Sequence, residues 1–319
     1  PVQPGERIAF VDILRGFAVF GILVANMAGF SGYAPFVREG QAVIDAVVLI
    51  LIRLFITAKF YSLFSLLFGW GLSVQMGRAR ERGTSFTPLY LRRLLVLLLI
   101  GILHGVLIWS GDILTLYALL GFLLFLTRNR SPRTILILVV VCLLLTIFLS
   151  APWKIPTEIV SRYDALTEFM RLEGAPSNAY SLGSYGEITQ LRVEQYLEGL
   201  SSFLYYFGNI FSMFLLGLWI GKRRIFQEVD RSLPCALPLL KRVLGGGLVL
   251  GMLGNLLYVW LLLFPSKMPV AWLPQSYHRM LQHAAYTIGA PALMLFYVTS
   301  MILLLRKKTW RNLLCPLAN

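Results

Sequence analysis

Apolar residues in this chain fall in long blocks separated by short polar connections, most of them basic. A bilayer core needs about 20 mostly apolar residues per crossing helix. Eight blocks reach or approach that length: Ile8–Phe30, Phe60–Gly77, Leu91–Ser110, Ile113–Thr127, Thr134–Ala151, Ser202–Gly221, Val243–Phe264 and Met280–Leu305. Another, Ala42–Thr57, is shorter and carries Asp45 and Arg53, so it reads as an interfacial or re-entrant helix. The pattern predicts an all-α, polytopic membrane helix bundle of about eight transmembrane helices plus that short helix. The organisation expected is a single integral membrane domain: an N-terminal bundle over 8–151, an extracytoplasmic cap over 152–200, and C-terminal helices over 201–319.

Composition narrows the picture further. Of the 319 residues 57% are apolar and only 14% charged, whereas a soluble domain is about a quarter charged. Mean hydropathy is +0.73. That excludes a soluble enzyme, a disordered chain and a disulfide scaffold. The net charge of +14 would suggest nucleic acid in a soluble protein, but cytoplasmic loops of membrane proteins are rich in Lys and Arg, so no nucleic-acid partner is expected. Cys142, Cys235 and Cys315 have no metal-site spacing, and no metal is expected. The first apolar block carries Asp12 and Arg15 and lacks the short core and small-residue site of a cleavable signal. The chain begins at Pro1 and stops after a basic patch, and it is expected to be trimmed at both ends.

The charges also orient the bundle. Arg7, the Arg78–Arg93 loop, Arg128–Arg133, Lys222–Arg242 and Arg306–Arg311 fall on one side, and far fewer basic residues fall on the other. The richer side is expected in the cytoplasm. Trp109, Trp153, Trp260 and Trp272 then mark the outer boundary. Lys154–Leu200 lies outside and is rich in acid. Ile159, Tyr163, Leu166 and Met170 recur at helical spacing, and Gly174–Gly186 reads as a linker. Gly101/Gly105 and Gly247/Gly251 fit close helix packing, and Pro291 predicts a kink.

Ionisable groups at membrane depth are costly, so each is a candidate for function. Asp12 and Arg15 share a helix face and can pair; the pair either lowers insertion cost or faces substrate, with Asn26 further along. His104 lies in the outer part of its helix between two glycines, where imidazole suits a general base; the alternative is an interhelical hydrogen bond. Asp112 either caps the next helix or orients His104. Lys59, His278 and His283 start in the outer half. Arg78, Arg80, Arg82, Arg92 and Arg93 cluster in one cytoplasmic loop; they suit phosphate or simply report topology and lipid headgroups.

Phe10-Val11-Asp12-Ile13-Leu14-Arg15-Gly16 with Gly21–Asn26, the run Lys59–Gly69 with Arg78 and Arg80, and Gly101–His104 with Ser110–Ala118 resemble the YeiB-like family, the domain of unknown function 418. Beyond Gly121 the resemblance is one of hydropathy. The family continues past Asn319 into a polar motif and further helix. The resemblance implies a bacterial inner-membrane protein, loosely described as transport-related. The opening is also similar to heparan-alpha-glucosaminide N-acetyltransferase and the wider transmembrane acyltransferases, which move an acyl group from cytosolic acyl-CoA across the membrane with an embedded histidine. Asp12 and Arg15 match that shared opening.

The expectation is a transmembrane acyltransferase with acetyl-CoA or another acyl-CoA as donor. Its phosphates would lie on Arg78, Arg92 and Arg93, and its thioester would pass Asp12, Arg15 and Asn26. His104 would be the base, Asp112 its orienting group, and Lys59 the oxyanion stabiliser. Partners would be membrane lipids, an extracytoplasmic acceptor, and a homodimer mate where one forms. A transporter or lipid-handling protein, or a membrane scaffold, is the alternative.

Overall fold

The computed structural model describes residues 9–30, 43–149, 180, 182–201, 203–226, 233–263 and 275–305. Within them there are ten helices and no strand. In chain order they are α1 (Ala9–Phe30), α2 (Val43–Phe55), α3 (Lys59–Glu81), α4 (Phe86–Leu107), α5 (Leu114–Thr127), α6 (Pro132–Leu149), α7 (Tyr185–Ser201), α8 (Phe203–Lys222), α9 (Leu233–Leu263) and α10 (Gln275–Leu304). The expected amphipathic helix at Ile159–Met170, Trp153 and Trp272, and the basic patch after Leu305 lie outside the described residues.

Every expected apolar block becomes a helix, but not every one is a full span. Five are long and apolar enough to cross a membrane: Phe10–Met27, Phe86–Leu107, Pro132–Leu149, Leu237–Leu263 and Met280–Leu304. Leu114–Thr127 and Phe207–Lys222 are apolar but shorter. Helix α3 is long, but Tyr61, Trp70, Gln75 and its serines and glycines dilute its apolar character and keep it out of that class. Side chains on α4 and α6 such as Leu95, Leu99, Leu103, Ile137, Val140 and Leu144 are exposed. A soluble protein rarely shows such faces; a bundle in lipid covers them. The chain is a helical membrane protein.

Two boundaries shift. Helix α4 begins at Phe86, so Arg92 and Arg93 lie inside it and not in a loop. Helix α9 begins at Leu233, so Lys241 and Arg242 are helical too. Pro238 and Pro291 are accommodated within α9 and α10.

The centre is the pair α3 and α8. A side-chain carbon on Gly69 would meet the Phe214 carbonyl, one on Gly217 the Leu66 carbonyl, and one on Gly221 Ser73. The backbones therefore touch where they cross, as small residues allow in membranes. From Gly217, beside the Leu66 and Trp70 backbones, to Gly221, beside Ser73, the numbers rise together, so α3 and α8 run parallel. Helices α9 and α10 form a second close pair: Gly247 lies on the Ala292 carbonyl, Gly251 on Leu293, and Gly254 on Gly289. Of the expected glycine pairs, Gly247, Gly251 and Gly101 sit at such backbone contacts, whereas Gly105 faces the Tyr196 ring.

The end of helix α2 is tied to α9 and α10: the Tyr297 hydroxyl donates to the Phe55 carbonyl at 2.8 Å and Arg53 Nη1 donates to the Tyr258 hydroxyl at 3.3 Å. The next residues turn through Ala58, held at φ 72°, and α3 starts at once. The Phe60 ring packs on Phe17 at 4.9 Å and against Gly21, near the middle of α1.

Candidate functional site

The C-terminal end of α4 and the N-terminal end of α5 carry the most organised polar cluster. Gly101 packs on the Thr115 backbone and leaves no room for a side chain. That close approach brings the turn Trp109–Ile113 back over α4. Asp112 accepts the Thr115 backbone N–H on Oδ2 at 2.8 Å, the role of a helix cap. Its Oδ1 lies 3.0 Å from His104 Nδ1. The two roles read from the sequence, cap and orienting group, are therefore both filled, one by each oxygen. The Asp112 side chain is fully buried, while His104 keeps 30% of its side-chain surface. A carboxylate only accepts, so Nδ1 carries the hydrogen, and in the neutral ring the lone pair falls on Nε2. The Trp109 ring stands edge-on to the imidazole at 6.5 Å, and Phe30 from the end of α1 packs on Trp109 at 4.8 Å.

Helix α7 closes the cluster from above. It starts with a capping box: the Ser184 N–H donates to Glu187 Oε2 at 2.7 Å and the Glu187 N–H returns to Ser184 Oγ at 3.4 Å. These bonds favour the ionised carboxylate and hold Glu187 below its usual value. Further along, the Tyr196 ring fills the notch at Gly105, and its hydroxyl lies 2.9 Å from Thr115 Oγ1. Ser110 Oγ donates to Gln195 Oε1 at 2.9 Å, and Arg192 Nη1 donates to the Leu107 carbonyl at 2.7 Å. Tyr196, Gln195 and Thr115 did not emerge from the sequence as site residues. The one legible signal was the Ser184-x-x-Glu187 box, which falls where a linker was expected.

The other expected site residues separate from this pair. Lys59 is fully buried, and its Nζ donates to the Arg53 carbonyl at 2.8 Å. Nine residues apart on α3, Lys59 and Phe68 face opposite ways. Phe68 is the face turned to α5, 5.6 Å from the Tyr117 ring. Lys59 thus lies across α3 from the helix that carries the dyad's turn. Asp12 and Arg15 form the expected intrahelical ion pair at 3.0 Å, with the guanidinium over the Trp70 ring at 5.8 Å. Asn26 is half-buried on α1. Arg92 and Arg93 are exposed, and Arg93 Nη1 donates to Gln75 Oε1 at 2.7 Å, joining α4 to the last turns of α3. Arg78 lies half-buried in those turns. His278 and His283 are half-buried on α10. Among the described residues no cluster of His, Cys, Asp and Glu could hold a metal ion.

Comparison with known proteins bears on the whole chain. A relative named "Uncharacterized protein YxaH", from Bacillus subtilis (strain 168), is 36% identical over 334 residues, covering 98% of this chain and 77% of its own. The "Uncharacterized protein YeiB" of Escherichia coli (strain K12) is 37% identical over 132 residues, 40% of this chain and 32% of its own. A third, "Uncharacterized 39.9 kDa protein in amylase 3'region" of Bacillus acidopullulyticus, is 39% identical over 125 residues, 39% of this chain and 35% of its own. No solved structure matches. The family model "Protein of unknown function (DUF418)" matches residues 220–319, so the likeness beyond Gly121 is more than hydropathy. The motifs of α1, α3 and α4 and this C-terminal match lie at opposite ends of the sequence, and YxaH spans both: the chain belongs to the YeiB-like DUF418 family.

Proposed function

We propose that this protein is a transmembrane acyltransferase of the bacterial inner membrane, passing an acyl group from cytosolic acyl-CoA to an acceptor on the outer side. The observation that carries the reading is the His104–Asp112 pair: a buried carboxylate, pinned by a helix cap, fixes Nδ1–H and leaves Nε2 as a base. His104 takes the proton of an acceptor hydroxyl or amine as that atom attacks the thioester carbonyl. The C–S bond breaks, the acyl group stays on the acceptor, and CoA leaves as the thiolate, which is then protonated. Arg92, Arg93 and Arg78 would meet the donor's phosphates from the cytoplasm, with Asp12, Arg15 and Asn26 along the way inward. The orientation rests on the basic asymmetry of the loops.

The test is purified protein with acetyl-CoA and simple alcohol or amine acceptors, with free CoA as the readout. Wild type should release CoA in an acceptor-dependent way, and His104→Ala should not. Wild-type protein that neither binds acetyl-CoA nor releases CoA would sink the reading. The second reading, a transporter, is favoured by the interruption between α2 and α3, since discontinuous helices with buried charge mark substrate sites in transporters.

A further inference from the structure

The interruption between α2 and α3 holds a fully buried lysine. Lys59 has no exposed surface, and among the described residues no carboxylate pairs with it; its ammonium donates to a neutral carbonyl, Arg53 O, at 2.8 Å. An ammonium removed from water without a counter-charge is costly. The carbonyl it touches belongs to the last turn of α2, where the helix dipole favours a cation. That contact offsets only part of the desolvation.

Polar groups lacking partners gather at the same depth. Ser62 lies one turn along α3 from Lys59 on the same face, is fully buried, and its hydroxyl makes no hydrogen bond. The α3/α8 register set by Gly69, Gly217 and Gly221 brings Ser62 level with the stretch of α8 around Asn209. Asn209 is 2% exposed, and both its amide atoms are unpartnered. On α10, Tyr286 meets the Tyr61 hydroxyl at 3.0 Å, and the adjoining Thr287 is 1% exposed with its hydroxyl unpartnered. Native interiors leave few buried polar atoms unsatisfied. Here three helices contribute them at the depth of one buried ammonium.

We propose that Lys59, with Ser62, Asn209 and Thr287 around it, is a binding site inside the membrane for a monocarboxylate. The charge count selects the ligand class. One buried ammonium neutralises one negative charge, whereas a phosphate dianion would leave a net charge in a medium of low dielectric. The hydroxyls and the amide supply neutral donors to the two carboxylate oxygens. The proposal is independent of acyl transfer, because Lys59 lies across α3 from the helix that carries the His104–Asp112 turn.

The test uses purified protein in neutral detergent and sodium propionate as the probe, with chloride balancing ionic strength and inorganic phosphate as a parallel arm. A ligand that binds only the folded state raises the unfolding temperature in a saturable way. Wild type should show that rise with propionate and not with phosphate. Lys59→Arg should keep it and Lys59→Met should lose it. Ser62→Ala keeps the ammonium but removes one charged hydrogen bond, which should shift the titration midpoint roughly tenfold; it decides the matter if Lys59→Met does not fold. An unresponsive wild type, an equal response to phosphate, an equal response in Lys59→Met, or an unchanged midpoint in Ser62→Ala would each overturn the site.

Discussion

His104 and Asp112 sit eight residues apart across a helix–helix turn, with Nδ1 and Oδ1 at 3.0 Å, while the second carboxylate oxygen holds the Thr115 amide at 2.8 Å. One side chain therefore both starts α5 and sets the imidazole tautomer. Substitutions at Asp112 can separate these functions. Asp112→Asn keeps an acceptor for the Thr115 amide but gives the histidine a neutral neighbour. It should leave the unfolding temperature nearly unchanged and lower CoA release on the order of a hundredfold or more. Asp112→Ala should in addition cost about 1 kcal/mol through the lost cap. CoA release and thermal unfolding, measured on both variants, check this.

His104→Ala deletes the proposed base. Removal of a general base typically costs roughly 100- to 10,000-fold in rate, so acyl transfer should fall by that much while the protein stays folded. Its half-exposed position makes the stability effect small. A variant that retains full transfer would return His104 to an interhelical hydrogen-bonding role.

The cap helix depends on a single missing side chain. A methyl at Gly105 would collide with the Tyr196 ring, so Gly105→Ala should lift α7 from the site. Tyr196→Phe should only lose the 2.9 Å contact with Thr115. Protease sensitivity of the Leu182–Ser201 segment in outside-out vesicles should rise clearly in Gly105→Ala and little in Tyr196→Phe.

The start of α7 should respond to acid. Glu187 is held below its usual value by the Ser184 hydrogen bonds, so its stabilisation is fully present above the unfolded carboxylate range and is lost as the pH falls through the lower, folded value. Amide exchange over 184–192 should accelerate below a pH of about 4.5, the ordinary value for this group, and Glu187→Gln should remove that pH dependence. Equal acid sensitivity in both proteins would count against the capping box as its source.

Sidedness is testable with single cysteines in a background lacking Cys142, Cys235 and Cys315. Leu182→Cys, on a side chain 84% exposed, should react with an impermeant maleimide on intact cells. Ser85→Cys, between α3 and α4, should react only after permeabilisation. The reverse pattern would invert the bundle.

Much of the fold was legible because a bilayer imposes a simple rule on sequence. Spans must be long and apolar, and backbone groups must be satisfied within a helix, so eight apolar blocks map onto eight of the helices. Gly101 and Gly247/Gly251 were legible for the same reason, since small residues at helical spacing allow backbones to touch. Asp112 was legible as a cap and as a partner for His104, because a tight turn limits where its carboxylate can reach. What tertiary structure alone decided are relations between segments distant in sequence. Tyr196 reaches Gly105 and Thr115 only because α7 folds back over the α4–α5 turn. Lys59 was grouped with His104 by its place near the start of a helix, but helical rotation sets it on the far face of α3. The partners of α2 were likewise undecidable from its apolar run: that Tyr297 reaches the Phe55 carbonyl is set by how α10 packs. Periodicity specifies which residues share a helix face; only the packing of other helices specifies what that face meets.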